Sequence, residues 1–198
     1  MKNILVTKLT TSINVFDEKV EIYTDFKKWI EFELDYEKDS NSSQIIMTLL
    51  DFVKDKKLIN QYNLEEVVNQ LLVFYNCGEK TSDENSQKNK NSKIMYSFDK
   101  DQYLVYSDFI RFYDIDLSET NMHWWKFKKL FIELPLNSSV KEAMKFRSIV
   151  ITSKMTPEQK NYYLKMKKLY SLEKDMTKTK KQAQFGSILF NGMNIKHD

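Results

Sequence analysis

Ile13, Val15, Val20 and Ile22 alternate with polar residues around Phe16-Asp17-Glu18-Lys19. This period of two about a polar turn predicts a β-hairpin. The period then lengthens to that of a helix. Thr24 or Asp25 is placed to cap a run whose apolar residues Phe26, Trp29, Ile30 and Leu34 share one face. Ser42 or Ser43 opens a second run through Ile45, Ile46, Leu49, Leu50 and Val53. Asn63 opens a third, with Glu66 completing a capping box. Its apolar set is Leu64, Val67, Val68, Leu71, Leu72 and Tyr75, and Gly78 is the expected left-handed stop. Three helices this close in sequence suit antiparallel packing.

Residues 79–93 contain no apolar side chain and read as a solvated linker or long loop. Beyond it an aromatic-dense helix is expected from about Asp99 to Tyr113, followed by the turn Asp114-Ile115-Asp116-Leu117. Ser118 is the expected cap of a helix ending near Leu134-Pro135. Ser139 and Glu142 form a second capping box ahead of Ala143, Met144, Phe146 and Ile149. Thr156-Pro157 starts a last helix, with Tyr162, Tyr163, Met166, Leu169 and Tyr170 at helical spacing. The fold class predicted is mainly α, a helical bundle with an N-terminal β-hairpin. The organisation expected is 1–78 hairpin plus helices, 79–93 linker, 94–174 C-terminal helical part and 175–198 basic flexible tail.

Composition agrees with long helices. In 198 residues there are only 3 Gly and 2 Pro, while 13 Phe, 11 Tyr and 3 Trp supply a core. The overall charge of +3 hides an asymmetry: residues 1–75 carry 9 lysines and 13 acids, residues 76–198 carry 22 basic and 15 acidic residues. Head-to-tail contacts or an acidic partner fit this distribution, although ordinary solvated surface explains it more simply. Cys77 is the single cysteine, so an intrachain disulfide is excluded and a reducing compartment fits. At the end of an apolar run it reads as a small buried hydrophobe. The N-terminal apolar stretch is too short for a signal peptide, and no run reaches the ~20 apolar residues of a membrane span.

The search for chemistry assigns no catalytic, cofactor-binding or metal-binding residue. His197 is penultimate, and His123, in His123-Trp124-Trp125, has no nucleophile signature beside it and reads as packed or hydrogen-bonded. One Cys and two distant His do not make a zinc site. Isolated glycines at 78, 186 and 192 exclude a phosphate cradle. Asp99, Asp101, Asp114 and Asp116 lack the spacing of a calcium loop and read as caps and turns. In 121–131 aromatics interleave with lysines, as in a surface that stacks bases. On a helix, however, Trp124, Phe127, Phe131 and Leu134 form one stripe from which Lys126 and Lys129 fall away. Core packing with a solvated basic edge is therefore favoured over nucleic acid. Candidate partner-binding residues are Tyr162, Tyr163, Met166 and Tyr170, an adaptable aromatic–methionine stripe, together with Trp125. The tail residues Phe185, Ile188, Leu189 and Phe190 are a second candidate.

The order of segments then resembles a known family. The hairpin leads into Thr24-Asp25-Phe26-Lys27-Lys28-Trp29-Ile30-Glu31-Phe32-Glu33. Later come Tyr96-Ser97-Phe98-Asp99-Lys100-Asp101, Tyr106-Ser107-Asp108-Phe109, Tyr113-Asp114-Ile115-Asp116-Leu117, His123-Trp124-Trp125-Lys126-Phe127 and Phe146-Arg147-Ser148-Ile149. Over about residues 10–172 this is similar to the bacteriophage gene-product-fifteen family of long-tailed phages and prophages. The resemblance implies a non-catalytic tail-assembly protein without cofactors in the cytoplasm of a bacterial host. It further implies a chaperone for the tape-measure protein, with the tail tube protein as a second partner and weak self-association allowed for. A structural tail or neck component is the alternative it leaves open.

Overall fold

In the computed structural model, residues 5–38, 42–60, 63–79 and 95–172 are described. The linker from residue 80 and the tail candidates Phe185, Ile188, Leu189 and Phe190 lie outside them. The described chain is mainly α, with seven α-helices and a two-stranded antiparallel hairpin. It forms two compact units, residues 5–79 with 121–128, and residues 95–120 with 129–172.

In the first unit, β1 (Ser12–Val15) pairs with β2 (Glu18–Glu21) in the register Ile13↔Val20 and Val15↔Glu18. Ile13, Val15 and Val20 are buried, as the alternation requires. The turn has two residues, Phe16 and Asp17, both at positive φ (46° and 68°). Tyr23 N donates to Phe52 O (2.8 Å) and Lys54 N to Glu21 O (3.0 Å), so the chain after the second helix pairs onto the end of the hairpin.

Helix α1 (Phe26–Lys38) starts where Asp25 Oδ1 accepts from Lys27 N (2.9 Å). It buries Phe26, Trp29, Phe32 and Tyr36, whereas Ile30 and Leu34, expected on the buried face, are only partly covered. Helix α2 (Ser42–Leu50) buries Ile45 and Leu49, and α3 (Leu64–Tyr75) buries Val67, Val68, Leu71, Leu72, Phe74 and Tyr75. The expected Asn63–Glu66 capping box does not form. Asn63 instead accepts from Asn60 N (2.8 Å) and donates to Leu58 O (2.7 Å), while Glu66 accepts from Gln70 Nε2 (2.7 Å). Local turn bonding has outcompeted the cap. At the other end of α3, Gly78 N donates to Val73 O (2.8 Å) and Cys77 N to Phe74 O (2.9 Å). This is a Schellman motif in which Cys77 (φ 58°), ahead of Gly78 (φ 80°), takes the left-handed C′ position.

The second unit contains α4 (Gln102–Tyr113), the rear of α5 (Trp124–Ile132), α6 (Ser139–Ser148) and α7 (Pro157–Leu169). Helix α4 starts after Asp101, three residues later than its pattern suggests, and closes on Asp114 at φ 54°. Ser118 does not cap α5. Its N–H and hydroxyl both donate to Asp116 Oδ1 (2.8 and 2.5 Å) in a turn, and the helix begins at Trp124. Helix α6 is capped by Ser138, one residue before the expected Ser139, through Lys141 N. Asp108 of α4 takes the next two amides, Ser139 N (2.9 Å) and Val140 N (2.8 Å). Helix α7 opens at Thr156-Pro157 as expected, and Gln159 closes a capping box there that the start signal had not included. The boundary between the units falls within α5, so its single stripe serves two cores, Trp124 and Phe127 in the first and Phe131 in the second.

Candidate functional site

The double-tryptophan segment of the first unit is built against the end of α3. The last carbonyls of a helix have no intrahelical donor and carry its negative dipole end. Trp124 Nε1 donates to Tyr75 O (2.9 Å), Trp125 Nε1 to Phe74 O (2.7 Å) and Lys128 Nζ to Tyr75 O (2.9 Å). Lys128 also lies 4.1 Å from the centre of the Tyr75 ring, a cation over an aromatic face. The backbone of the segment pairs with the start of α1, through Phe26 N to Met122 O (2.9 Å) and Trp124 N to Thr24 O (2.7 Å). Trp29 lies beneath, stacked on Phe52 at 3.7 Å and on Trp124 at 6.1 Å.

His123 is half-buried, and both ring nitrogens are engaged. Nδ1 accepts from Trp125 N (3.1 Å), which makes Nε2 the protonated nitrogen, donating to Thr10 O (2.8 Å). Burial lowers its pKa, and the Thr10 carbonyl only partly opposes this. Such a histidine holds backbone in place.

Glu33, on the inner side of α1, accepts from the Tyr75 hydroxyl. Burial pushes its carboxyl from 4.5 up to about 7; the Tyr75 hydrogen bond and the Lys128 charge oppose the rise, and Glu37 adds to it. The folded state therefore keeps a proton that the unfolded chain releases near pH 4.5. Stability is full below pH 4.5 and falls as the pH rises towards 7. Against Glu33→Gln, wild type is expected to lose about 2 kcal/mol across this window, a value discounted for the carboxyl's partial exposure. Urea titrations of both proteins at several pH values measure it, and parallel pH profiles refute the assignment.

In the second unit the anchor is Arg147. Its Nη1 and Nη2 donate to the two oxygens of Asp101 (both 2.7 Å), Nη1 also to Met95 O (2.8 Å), and Nε to Tyr170 O (2.7 Å). Asp101 accepts further from Ser97 N (3.0 Å). Both side chains are buried, and the planar fork is what permits this geometry. Thus α6, the stretch before α4 and the end of α7 meet on one guanidinium. Asp101, expected in a cap or turn, instead holds Arg147, for which the residue pattern predicts no partner. The available signal was that an arginine appears only twice among 31 basic residues.

Helix α7 has no fully buried residue. Tyr170 stacks on Phe146 (5.5 Å, 7°), and Tyr162 meets the same ring edge-on at 6.1 Å. Tyr163 packs edge-on to Tyr162 at 5.3 Å, and Met166 is half-buried. Lys167 Nζ donates to Arg147 O (3.2 Å) and Ile149 O (2.6 Å) at the end of α6. The tyrosine–methionine stripe therefore faces α6 with Tyr162 still 52 % exposed, while Leu164 and Leu169 are 54 % and 69 % exposed. Trp125 belongs to the first unit, not to this stripe. Among the described residues no helix is long and apolar enough to cross a membrane.

The geometry defines a mainly helical protein whose distinctive side chains clasp helix ends and backbone carbonyls. Residues 5–172 match the family model described as Bacteriophage Gp15 protein. The chain belongs to that family, and so to the structural and morphogenesis proteins of bacteriophages. No curated protein and no solved structure matches it.

Proposed function

We propose that this protein is a non-catalytic tail-assembly chaperone that holds the tape-measure protein in the host cytoplasm until tube subunits displace it. Family membership supports a morphogenetic role. The observation that carries the finer reading is α7, a helix without a fully buried residue, pinned at its C-terminal end by Arg147 and Lys167. A tape-measure chain presents long apolar helical stripes that aggregate when uncovered. A lightly held amphipathic helix can cover such a stripe by helix-to-groove contact, and many weak contacts allow later displacement. The contact residues assigned are Tyr162, Tyr163, Met166 and Tyr170 on α7 of the second unit and, as a separate point on the first unit, Trp125.

Co-expression with the tape-measure protein of the same tail module tests this. Wild type is expected to recover a soluble complex, and Tyr162→Ala with Tyr163→Ala to weaken it roughly tenfold. An insoluble tape measure with nothing co-purified overturns the chaperone reading. Mass spectrometry of finished particles should lack the chain; its presence there makes it a structural component.

A further inference from the structure

The hairpin turn carries a feature that folding alone does not explain. A two-residue turn with both residues at positive φ is the type that favours Asn-Gly, because a side chain with a bulky Cβ substituent is strained in the left-handed region. Here Phe16 sits at φ 46° and is 68 % exposed. Among the described residues it has no ring contact, so the strain is not offset by aromatic packing. Strain held at a surface position is a pointer to function. Asp17 and Glu18, which follow it, are exposed, so the turn presents an aromatic ring beside two carboxylates.

The complementary surface is on the same chain. The outer face of α7 carries Leu164, Lys165, Lys168 and Leu169, with Leu164–Lys168 and Lys165–Leu169 each four residues apart and all four exposed. Residues 139–169 hold eight basic residues against two acidic ones. We propose that Phe16 of one copy docks between Leu164 and Leu169 of a second copy, with Asp17 and Glu18 meeting Lys165 and Lys168. The contact is heterologous: one copy offers its turn and the other its α7, so a dimer keeps one of each free. A knob of this size buries far less than the ~1,200 Å² of a stable interface, so the association is weak, salt-sensitive and adjustable by concentration.

Sedimentation velocity of the full-length chain over a concentration series, at low and high salt, tests it without any other phage protein. Its failure is therefore distinct from failure of the chaperone reading. Wild type is expected to associate at low salt and dissociate at high salt. Phe16→Asn should remain monomeric while its melting temperature rises by roughly 2–4 °C, since the turn is relieved. Lys165→Glu with Lys168→Glu should weaken association roughly tenfold with the fold unchanged. Mixing these two variants should restore dimers, because one keeps the surface and the other the knob. A wild type that stays monomeric at every concentration, a Phe16→Asn chain that still associates, or a mixture that stays monomeric overturns the proposal. If wild type is monomeric but Phe16→Asn lowers tape-measure recovery, the occupant is that partner and not a second copy.

Discussion

Replacing Arg147 with alanine is expected to destabilise the second unit by about 3–5 kcal/mol. The substitution removes a bidentate partner from a buried carboxylate, which among the described residues then keeps Ser97 N as its side-chain donor. It also strips donors from the Met95 and Tyr170 carbonyls. Arg147→Lys is expected to recover little, because an ammonium cannot reproduce the fork. The double variant Arg147→Met, Asp101→Leu should be far milder than either single change that strands a charge, since replacing both partners of a buried pair by apolar groups is often nearly neutral. Far-UV circular dichroism during urea unfolding reads the loss. Tryptophan fluorescence reads the other unit, because Trp29, Trp124 and Trp125 all belong to it. Single substitutions at Arg147 that lower stability by less than about 1 kcal/mol would refute the anchor.

Trp124→Ala is expected to cost about 3–5 kcal/mol in the first unit. Trp124 is fully buried, stacks on Tyr75 at 5.4 Å and Phe127 at 5.8 Å, and donates its indole N–H to Tyr75 O. Removing it opens a cavity beside Trp29. Trp124→Phe keeps most of the volume and loses the donor, for about 1–2 kcal/mol, because Lys128 still serves the same carbonyl. Chemical denaturation followed by the fluorescence of the remaining Trp29 and Trp125 separates the two variants. Equal losses for both would mean that the hydrogen bond, and not the ring, holds the segment.

Patterns of local origin were legible in the residues themselves. The alternation about residue 16 and the Thr156-Pro157 start each involve neighbours a few positions apart, and both appear as expected. The stripe Trp124, Phe127, Phe131, Leu134 is likewise buried throughout, with Lys126 and Lys129 exposed. Where a side chain had a choice of partners, sequence spacing misled. Asn63 had the spacing of a cap but bonded Asn60 and Leu58, and Asp101 turned from its own helix to Arg147, 46 residues away.

The tyrosine stripe of α7 shows the same limit from the functional side. Helical spacing grouped Tyr162, Tyr163, Met166 and Tyr170, and the structure keeps them on one face. Which face Phe146 would take, and that Leu164 and Leu169 would remain outside, depended on a helix earlier in the chain. The residues alone determined the mainly α class, the hairpin, most helix starts and stops, and the family, because period, caps and motif order are properties of contiguous sequence. Tertiary structure alone decided that 121–128 completes the first unit, that Asp108 caps α6, and that one arginine gathers three segments. Those depend on groups far apart in sequence, where a buried carbonyl or carboxylate takes whichever donor the packed fold brings within hydrogen-bonding distance.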